Sequence, residues 1–389
     1  MLILSNPEVE QVLSMEICME ALEQGFTEYA KGAAVGIPRY DVSVPTSFES
    51  IAQGLRVSPA DLSRRLPEGQ AVLEAMQGSP IYRFKTQVGA VPAMRTLALR
   101  LNSDIVAFSR VEGLSRQEKL PLVGRYKYCG LIFLFSTVNG EPLALFPDGQ
   151  LQRFRVGGTT GLGIKHLARR DASVVGLIGA GWQAGAQVMA AVAARNIKTV
   201  RVYSPTSSRR ESFARQMSQS IKIEILPVAS AREAVEGADI VLGATNSLTP
   251  IFDGEWLSPG CHVGAIATPE LDEKTYRRAG LIMLTAKSYL ELGDRIDYAP
   301  PAVEKTIPLR RDSGELKNVL PKIEDVPDLA DLLSGRSRGR INDQEITVHM
   351  NNSFSLQFAA VGAKVLELAR QQRLGRELPT DWFLQDVHT

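Results

Sequence analysis

Cysteine is scarce in this chain: three in 389 residues, at Cys18, Cys129 and Cys261. They are odd in number, far apart and form no CxxC pair, which excludes a disulfide framework and a thiolate zinc site and fits a reducing compartment. The four histidines, His166, His262, His349 and His388, are scattered, and none pairs at i, i+4 with a ligand set, so no metal is expected. His262 opens an apolar run and reads as structural. Aromatics make up 6%, with no interleaving of basic and aromatic residues, which argues against RNA. Neither sign of charge prevails: 44 basic and 43 acidic residues leave a net charge of +1, which excludes nucleic-acid binding through a broad basic face. No apolar run reaches the roughly 18 residues needed to cross a bilayer. The opening MLILSNPEVEQV lacks a basic stretch followed by a long apolar one, so no signal peptide is read and the expected location is the cytoplasm. There is no G-x-S-x-G elbow.

What remains is a composition of 44% hydrophobic and 22% charged residues, that of a globular chain of two or three domains. Apolar residues at helical spacing predict a helix over Met15 to Ala30, closed by Lys31-Gly32. Residues 41–80 read mostly as loop, with a short helix at VSPADLSRRL. From about 81 to 148 the texture is strand-like: IYRFKTQVGA, MRTLALRLN, YCGLIFLFSTV and EPLALF, with a hairpin turn at Asn139-Gly140. TTGLGIKHLARRD reads as a helix ending in a charged link. After Asp171, short apolar strands alternate with helices, from VVGLIGAG through GLIMLTA, which predicts a parallel, doubly wound sheet ending near residue 325. NDQEITVHMNN and SLQFAAVGAKVLELARQQRLG then predict one strand and one long helix. The expected class is α/β, a Rossmann domain over residues 167–325 plus an α+β substrate-binding and dimerisation domain from 1–166 and 326–389.

Gly179, Gly181 and Ala184 make a G-x-G-x-x-A turn between an apolar strand and an Ala-rich helix. The first glycine permits the tight turn, the second lets backbone approach a pyrophosphate, and the small third residue packs helix on strand. The free N–H groups of the helix start hold phosphate. The candidate cofactor residues here are Gly179, Ala180, Gly181, Trp182, Gln183 and Ala184, with Thr245 after a later strand. A carboxylate at the end of the second strand would bond the ribose 2′-OH of NAD. This chain instead has Ser204-Pro205-Thr206-Ser207-Ser208-Arg209-Arg210. Hydroxyls on Ser204 and Thr206 and the guanidinium of Arg209 suit a 2′-phosphate, so NADP is expected, with NAD as the alternative.

Nearly the whole chain resembles the ornithine cyclodeaminase/μ-crystallin family. EQGFTEYAKG resembles its opening segment, GEPLALFPDGQLQRFRVGGTTGLGIKHLAR its carboxylate-clamping segment and following helix, GLIGAGWQA its dinucleotide turn, and GRINDQEITVH its C-terminal return. The resemblance implies a homodimer, with chemistry at a carbon bearing nitrogen and carboxylate and hydride passing to or from nicotinamide. It places Arg155 as the carboxylate clamp and Arg39 as a second substrate-facing arginine. Arg100, in LALRLNSD, stands in the slot of the family's catalytic lysine, and would hold a second anionic group or polarise the imine or carbonyl. Lys85 is the nearby amine that could supply the proton, with water or a pocket hydroxyl as alternatives. The aspartate that cyclodeaminases carry after the HVGAIA strand is missing; Ala267, Thr268 and Pro269 stand there, and Ser355 and Phe358 replace a glycine and an aspartate near the last helix. The expected function is therefore imine reduction or reductive amination of a 2-oxo acid on a small amino, imino or oxo acid. The alternatives are NAD-dependent cyclodeamination and NADPH binding without turnover.

Overall fold

The computed structural model describes residues 1–58, 61–62, 78–111, 114–123, 127–287 and 325–386. The chain opens with a short strand β1 (Leu2–Ile3), then α1 (Asn6–Val12) and α2 (Met15–Ala30). Ser14 caps α2 by accepting from Ile17 N, and the helix ends before Gly32, whose φ of +73° glycine adopts freely. Next come β2 (Val35–Gly36), β3 (Tyr40–Pro45) and α3 (Phe48–Leu55), so part of the stretch expected as loop is ordered structure. Alternation in β3 is clear once burial is known: Asp41 and Ser43 are buried, whereas Tyr40, Val42 and Val44 are exposed. That inverts the usual order, and a polar-in strand does not announce itself. The expected helix at VSPADLSRRL falls largely outside the described residues.

A long antiparallel run follows: β4 (Ile81–Val91), β5 (Thr96–Val111), β6 (Leu114–Leu120), β7 (Cys129–Ser136) and β8 (Pro142–Pro147). With β16 (Arg376–Glu377) these strands form a nine-stranded sheet in the order β16-β1-β8-β7-β5-β4-β2, with β3 on β4 and β6 on β5. The Asn139-Gly140 hairpin turn is where expected, with Gly140 at φ +81°.

The helix α4 (Asp148–Leu167) begins eleven residues before the expected TTGLG start and therefore carries Arg155 within it. It is buried on nearly every side, so it lacks the single apolar stripe that would mark it. Its glycines admit neighbours: a Cβ on Gly157 would stand 2.7 Å from Ala186 O, and one on Gly163 would overlap the His349 ring.

The second sheet is fully parallel. It holds β9 (Val174–Ile178), β10 (Thr199–Tyr203), β11 (Glu224–Pro227), β12 (Ile240–Gly243), β13 (His262–Ala265), β14 (Leu281–Leu284) and β15 (Thr347–Met350), in the order β11-β10-β9-β12-β13-β15-β14. The intervening helices are α5 (Trp182–Ala194), α6 (Ser207–Ile221), α7 (Ala231–Val235), α8 (Glu273–Arg278) and α9 (Leu329–Leu333), and α10 (Leu356–Gln371) follows β15. This is the doubly wound Rossmann arrangement, with its switch point between β9 and β12. One boundary needs correction. The 167–325 limit cuts the sheet, because β15 lies between β13 and β14 with Thr347 paired to both His262 and Leu281. Strand insertion is non-local, and chain order alone did not reveal it. The main apolar core likewise crosses the expected boundary, joining Leu22 and Phe26 of α2, Ala186 of α5, Met283 of β14 and Phe358 of α10.

Candidate active site

Strand register gathers the basic residues. Lys85 pairs opposite Asn102, and Gln87 opposite Arg100, across β4 and β5, with Asp41 opposite Lys85 across β3 and β4. Since side chains two apart share a face, Asp41, Ser43, Lys85, Gln87, Arg100, Asn102 and Asp104 make one polar sheet face, and all seven are buried. Helices α4 and α10 cover it. A buried polar face costs free energy unless its groups are paired, and most of these are.

Arg100 is fully engaged. Its Nε and Nη2 donate to Asp148 Oδ2 at 3.0 and 2.6 Å, and Nη1 donates to Gln87 Oε1 at 3.2 Å. The expected role of Arg100 as a direct anion ligand is therefore at odds with its geometry, since Asp148 already neutralises it. Arg39 is half-buried and forks onto Asp41 at 2.7 and 3.0 Å.

Arg155 is different. It projects from α4 into the same place, buried, with its guanidinium 4.9 Å from the centroid of the Phe358 ring on which Arg100 also stacks at 5.3 Å. Nη1 donates to Gln357 Oε1 at 3.1 Å, and Nε has no acceptor. No carboxylate of the described residues lies in ion-pair range of it. Burial lowers its proton affinity first, then Arg100 and Arg39, with Asp148 opposing; a guanidinium nonetheless stays charged in proteins. A buried cation lacking its own anion is costly alone and is a ready seat for one.

Lys85 Nζ donates to Asp104 Oδ2 at 3.0 Å, and Lys119 Nζ reaches the same oxygen at 2.8 Å. Burial, then Lys119, bring the Lys85 pKa down to about 7, with Asp104 opposing and Arg39 adding to the depression. That value suits proton exchange at neutral pH. The charge of Arg39 acts on both Lys85 and Arg155.

The dinucleotide turn lies at the carboxyl end of β9. Gly179 has φ +112°, and a Cβ there would overlap Ala244 O and stand 3.3 Å from Thr245 Cγ2. At Gly181, with φ −91°, a Cβ would find nothing within 4 Å, so no protein contact requires glycine there. Ala184 is buried against the strand, and no side chain caps the start of α5, which leaves its first N–H groups for a ligand. Gln183 donates to Gln152 Oε1 at 2.8 Å. Ser204 and Thr206 form the loop after β10, stapled by Arg210 Nη1 donating to Ser204 O at 2.9 Å, while Arg209 lines a cavity with Ala180 and Gly181.

Sequence reasoning missed Glu270. Its carboxylate is buried at the carboxyl ends of β12 and β13 and accepts from Thr245 N, Thr245 Oγ1, Ile266 N and Ala267 N at 2.7, 2.8, 3.1 and 3.0 Å. Burial pushes its pKa up to about 7 against those hydrogen bonds. It clamps the two loops together, and so fixes Thr245 beside the glycine turn. The expectation at this loop was a missing aspartate, a pattern that a glutamate does not match. Asp104, Asp148 and Gln357 were also missed; they act by holding the basic residues, and no local pattern marks such partners. Among the described residues no cluster of three or more His, Cys, Asp or Glu could hold a metal ion, and no helix is long and apolar enough to cross a membrane.

The sequence pattern of the Ornithine cyclodeaminase/mu-crystallin family matches residues 115–373. The chain belongs to this family. A Delta(1)-pyrroline-2-carboxylate reductase of Bacillus cereus is 28% identical over 265 residues, covering 66% of this chain and 76% of that protein. An alanine dehydrogenase of Archaeoglobus fulgidus is 26% identical over 388 residues, 97% of this chain and 98% of that one. The fold matches that of the Delta(1)-pyrroline-2-carboxylate reductase of Thermococcus litoralis, solved with NADH and L-proline, at a TM-score of 0.71 and 24% identity, over 97% of this chain and 100% of that chain.

Proposed function

We infer that this chain reduces the C=N bond of an imino acid, cyclic or formed from a 2-oxo acid and an amine, with Arg155 gripping the carboxylate and Lys85 giving the proton. The chain is an NAD(P)H-dependent oxidoreductase of its family acting on an amino or imino acid. One observation carries the finer reading: Arg155 of α4 is a buried guanidinium with an unpaired Nε and no ion-pair partner among the described residues, and the sheet face that α4 covers holds a lysine of pKa about 7.

The residues of the turn fit a dinucleotide, since Gly181 faces open space and the α5 N–H groups have no side-chain cap. When bound, the nicotinamide supplies or accepts the hydride at the substrate carbon. Arg155 fixes that carbon through its carboxylate, bidentately if Nε and one Nη engage. Phe358 seats the guanidinium from below, and Asp148 holds Arg100 beside it as a fixed positive field. In reduction the carbon receives the hydride and the nitrogen receives one proton from Lys85 Nζ, which returns to its charged form from solvent. Asp104 aims the amine. The carboxylate nearest the loops after β13, Glu270, has both oxygens on loop donors. It is thus not offered to substrate, and this speaks against cyclodeamination.

Ser204, Thr206 and Arg209 beside the turn, with no carboxylate among residues 204–210, favour NADP over NAD. The partner is a second copy of this chain. Edge strand β3 exposes Tyr40, Val42 and Val44 at 41, 44 and 45%, an apolar edge of the kind monomers avoid. The test is a panel of 2-oxo acids with ammonia or methylamine, and of cyclic imino acids, followed by NADPH and NADH consumption with native protein and Arg155→Ala. Turnover that survives Arg155→Ala unchanged refutes the clamp; tight coenzyme binding with no turnover on any member leaves binding as the function. Light scattering of native protein and Val42→Asp reads the dimer.

A further inference from the structure

The cavity beside the glycine turn, about 430 Å³, is lined by Ala180, Gly181, Trp182 and Arg209, and also by Arg153 of α4. Arg153 reaches it from outside the parallel-sheet unit. Its Nε donates to Trp182 O at 3.1 Å, and its guanidinium lies 5.3 Å from the centroid of the Trp182 ring, so the first residue of α5 fixes the plane of the fork. No ion pair involves Arg153 among the described residues; Glu10 is the carboxylate that acts on it, from a distance.

A second feature points the same way. Gly185 lies on the first turn of α5, and a Cβ there would stand 2.6 Å from Arg153 Nη2. A glycine inside a helix is disfavoured against alanine. Here it opens the track along which the Arg153 fork passes over α5 to reach the cavity. The outcome is two guanidinium groups, from α4 and α6, on one cavity, beside the uncapped end of α5.

We propose that Arg153 is a second anion-holding residue of the dinucleotide site, closing with Arg209 on a phosphomonoester at the adenosine ribose 2′ position. The inference rests on the NADP reading above. A phosphomonoester carries nearly two negative charges at neutral pH and three acceptor oxygens, which two forks can share. NADH lacks that group, so removing the Arg153 fork weakens one coenzyme and spares the other.

Calorimetric titration of the full chain with NADPH and with NADH tests this. Arg153→Gln is expected to raise the NADPH Kd about tenfold, the scale of one charge-assisted contact, and to change the NADH Kd less than about twofold. Gly185→Ala, whose methyl displaces the fork while leaving Arg153 unsubstituted, should give the same selective loss. Equal weakening of both coenzymes in Arg153→Gln, or no change in either, overturns the proposal. If Arg153→Gln does not fold, Arg153→Lys and Gly185→Ala carry the same comparison. Native protein and Arg209→Ala report on the NADP reading itself. If native protein prefers NADH, that reading fails and takes this one with it. If Arg209→Ala loses a native preference for NADPH while both Arg153→Gln and Gly185→Ala keep it, only the Arg153 assignment fails.

Discussion

Lys85 and Lys119 converge on a single oxygen of Asp104, at 3.0 and 2.8 Å. Two ammonium groups on one carboxylate oxygen repel each other, and the buried one, at Lys85, yields its proton more readily. The exposed one keeps its solvation. Burial first, and then Lys119, bring Lys85 down to about 7, while Asp104 opposes the shift.

That predicts the pH profile. In reduction the protonated amine is the active form, so kcat/KM should fall as pH rises through about 7. In oxidation the neutral amine accepts the proton, so the rate should rise over the same range. Asp104→Asn removes the charge that supports the ammonium, and the reductive limb should move to lower pH. Lys85→Met should abolish turnover while leaving coenzyme Kd unchanged, measured by titration. An unmoved limb in Asp104→Asn would refute the coupling.

Arg155→Ala should lower kcat/KM by about 30- to 1,000-fold, the scale of a desolvated charge pair worth roughly 2–4 kcal/mol. Arg155→Lys keeps charge and loses the fork, and should recover only part of that. Because Arg155 has no carboxylate of its own to abandon, neither change should lower Tm much; the check is steady-state kinetics beside a thermal melt.

The two glycines of the turn should behave oppositely. Gly179→Ala puts a methyl into Ala244 O at φ +112° and should destabilise the fold or displace the loop. Gly181→Ala puts its methyl where no protein atom lies within 4 Å, so Tm should hold while affinity for either dinucleotide drops by about tenfold or more. Melting curves with and without coenzyme distinguish the two.

Gly163→Ala should cost about 1–3 kcal/mol in denaturant unfolding, because its methyl overlaps the buried His349 ring. Ala substituted at Gly54, which has open space around it, is the control and should be neutral or slightly stabilising.

The parts of the fold legible from sequence were local. The G-x-G-x-x-A turn sits between a strand and a helix a few residues either side, and the Met15–Ala30 helix carries its own periodicity and cap. Arg155, Arg39 and Arg100 were legible as candidates through the family resemblance of the segments that carry them, and Lys85 as the amine near Arg100 in the chain. Their ranking was not. Whether Arg100 or Arg155 is free for substrate depends on Asp148 and Gln357, which are 48 and 202 residues away from their respective partners. The start of α4 was hidden because Gln150, Arg155, Thr159 and Thr160 are buried among glycines, leaving no polar face to contrast with an apolar one. Glu270 was hidden because a loop carboxylate becomes a clamp only when two strand ends meet.

The placement of β15 bears on how the molecule is made. As the chain leaves the ribosome, β13 and β14 emerge with no mutual edge, and the strand that joins them arrives more than sixty residues later, at Thr347–Met350. The coenzyme sheet therefore closes only after residues 347–350 have been made, in the same step that brings α10 and Phe358 to Arg155.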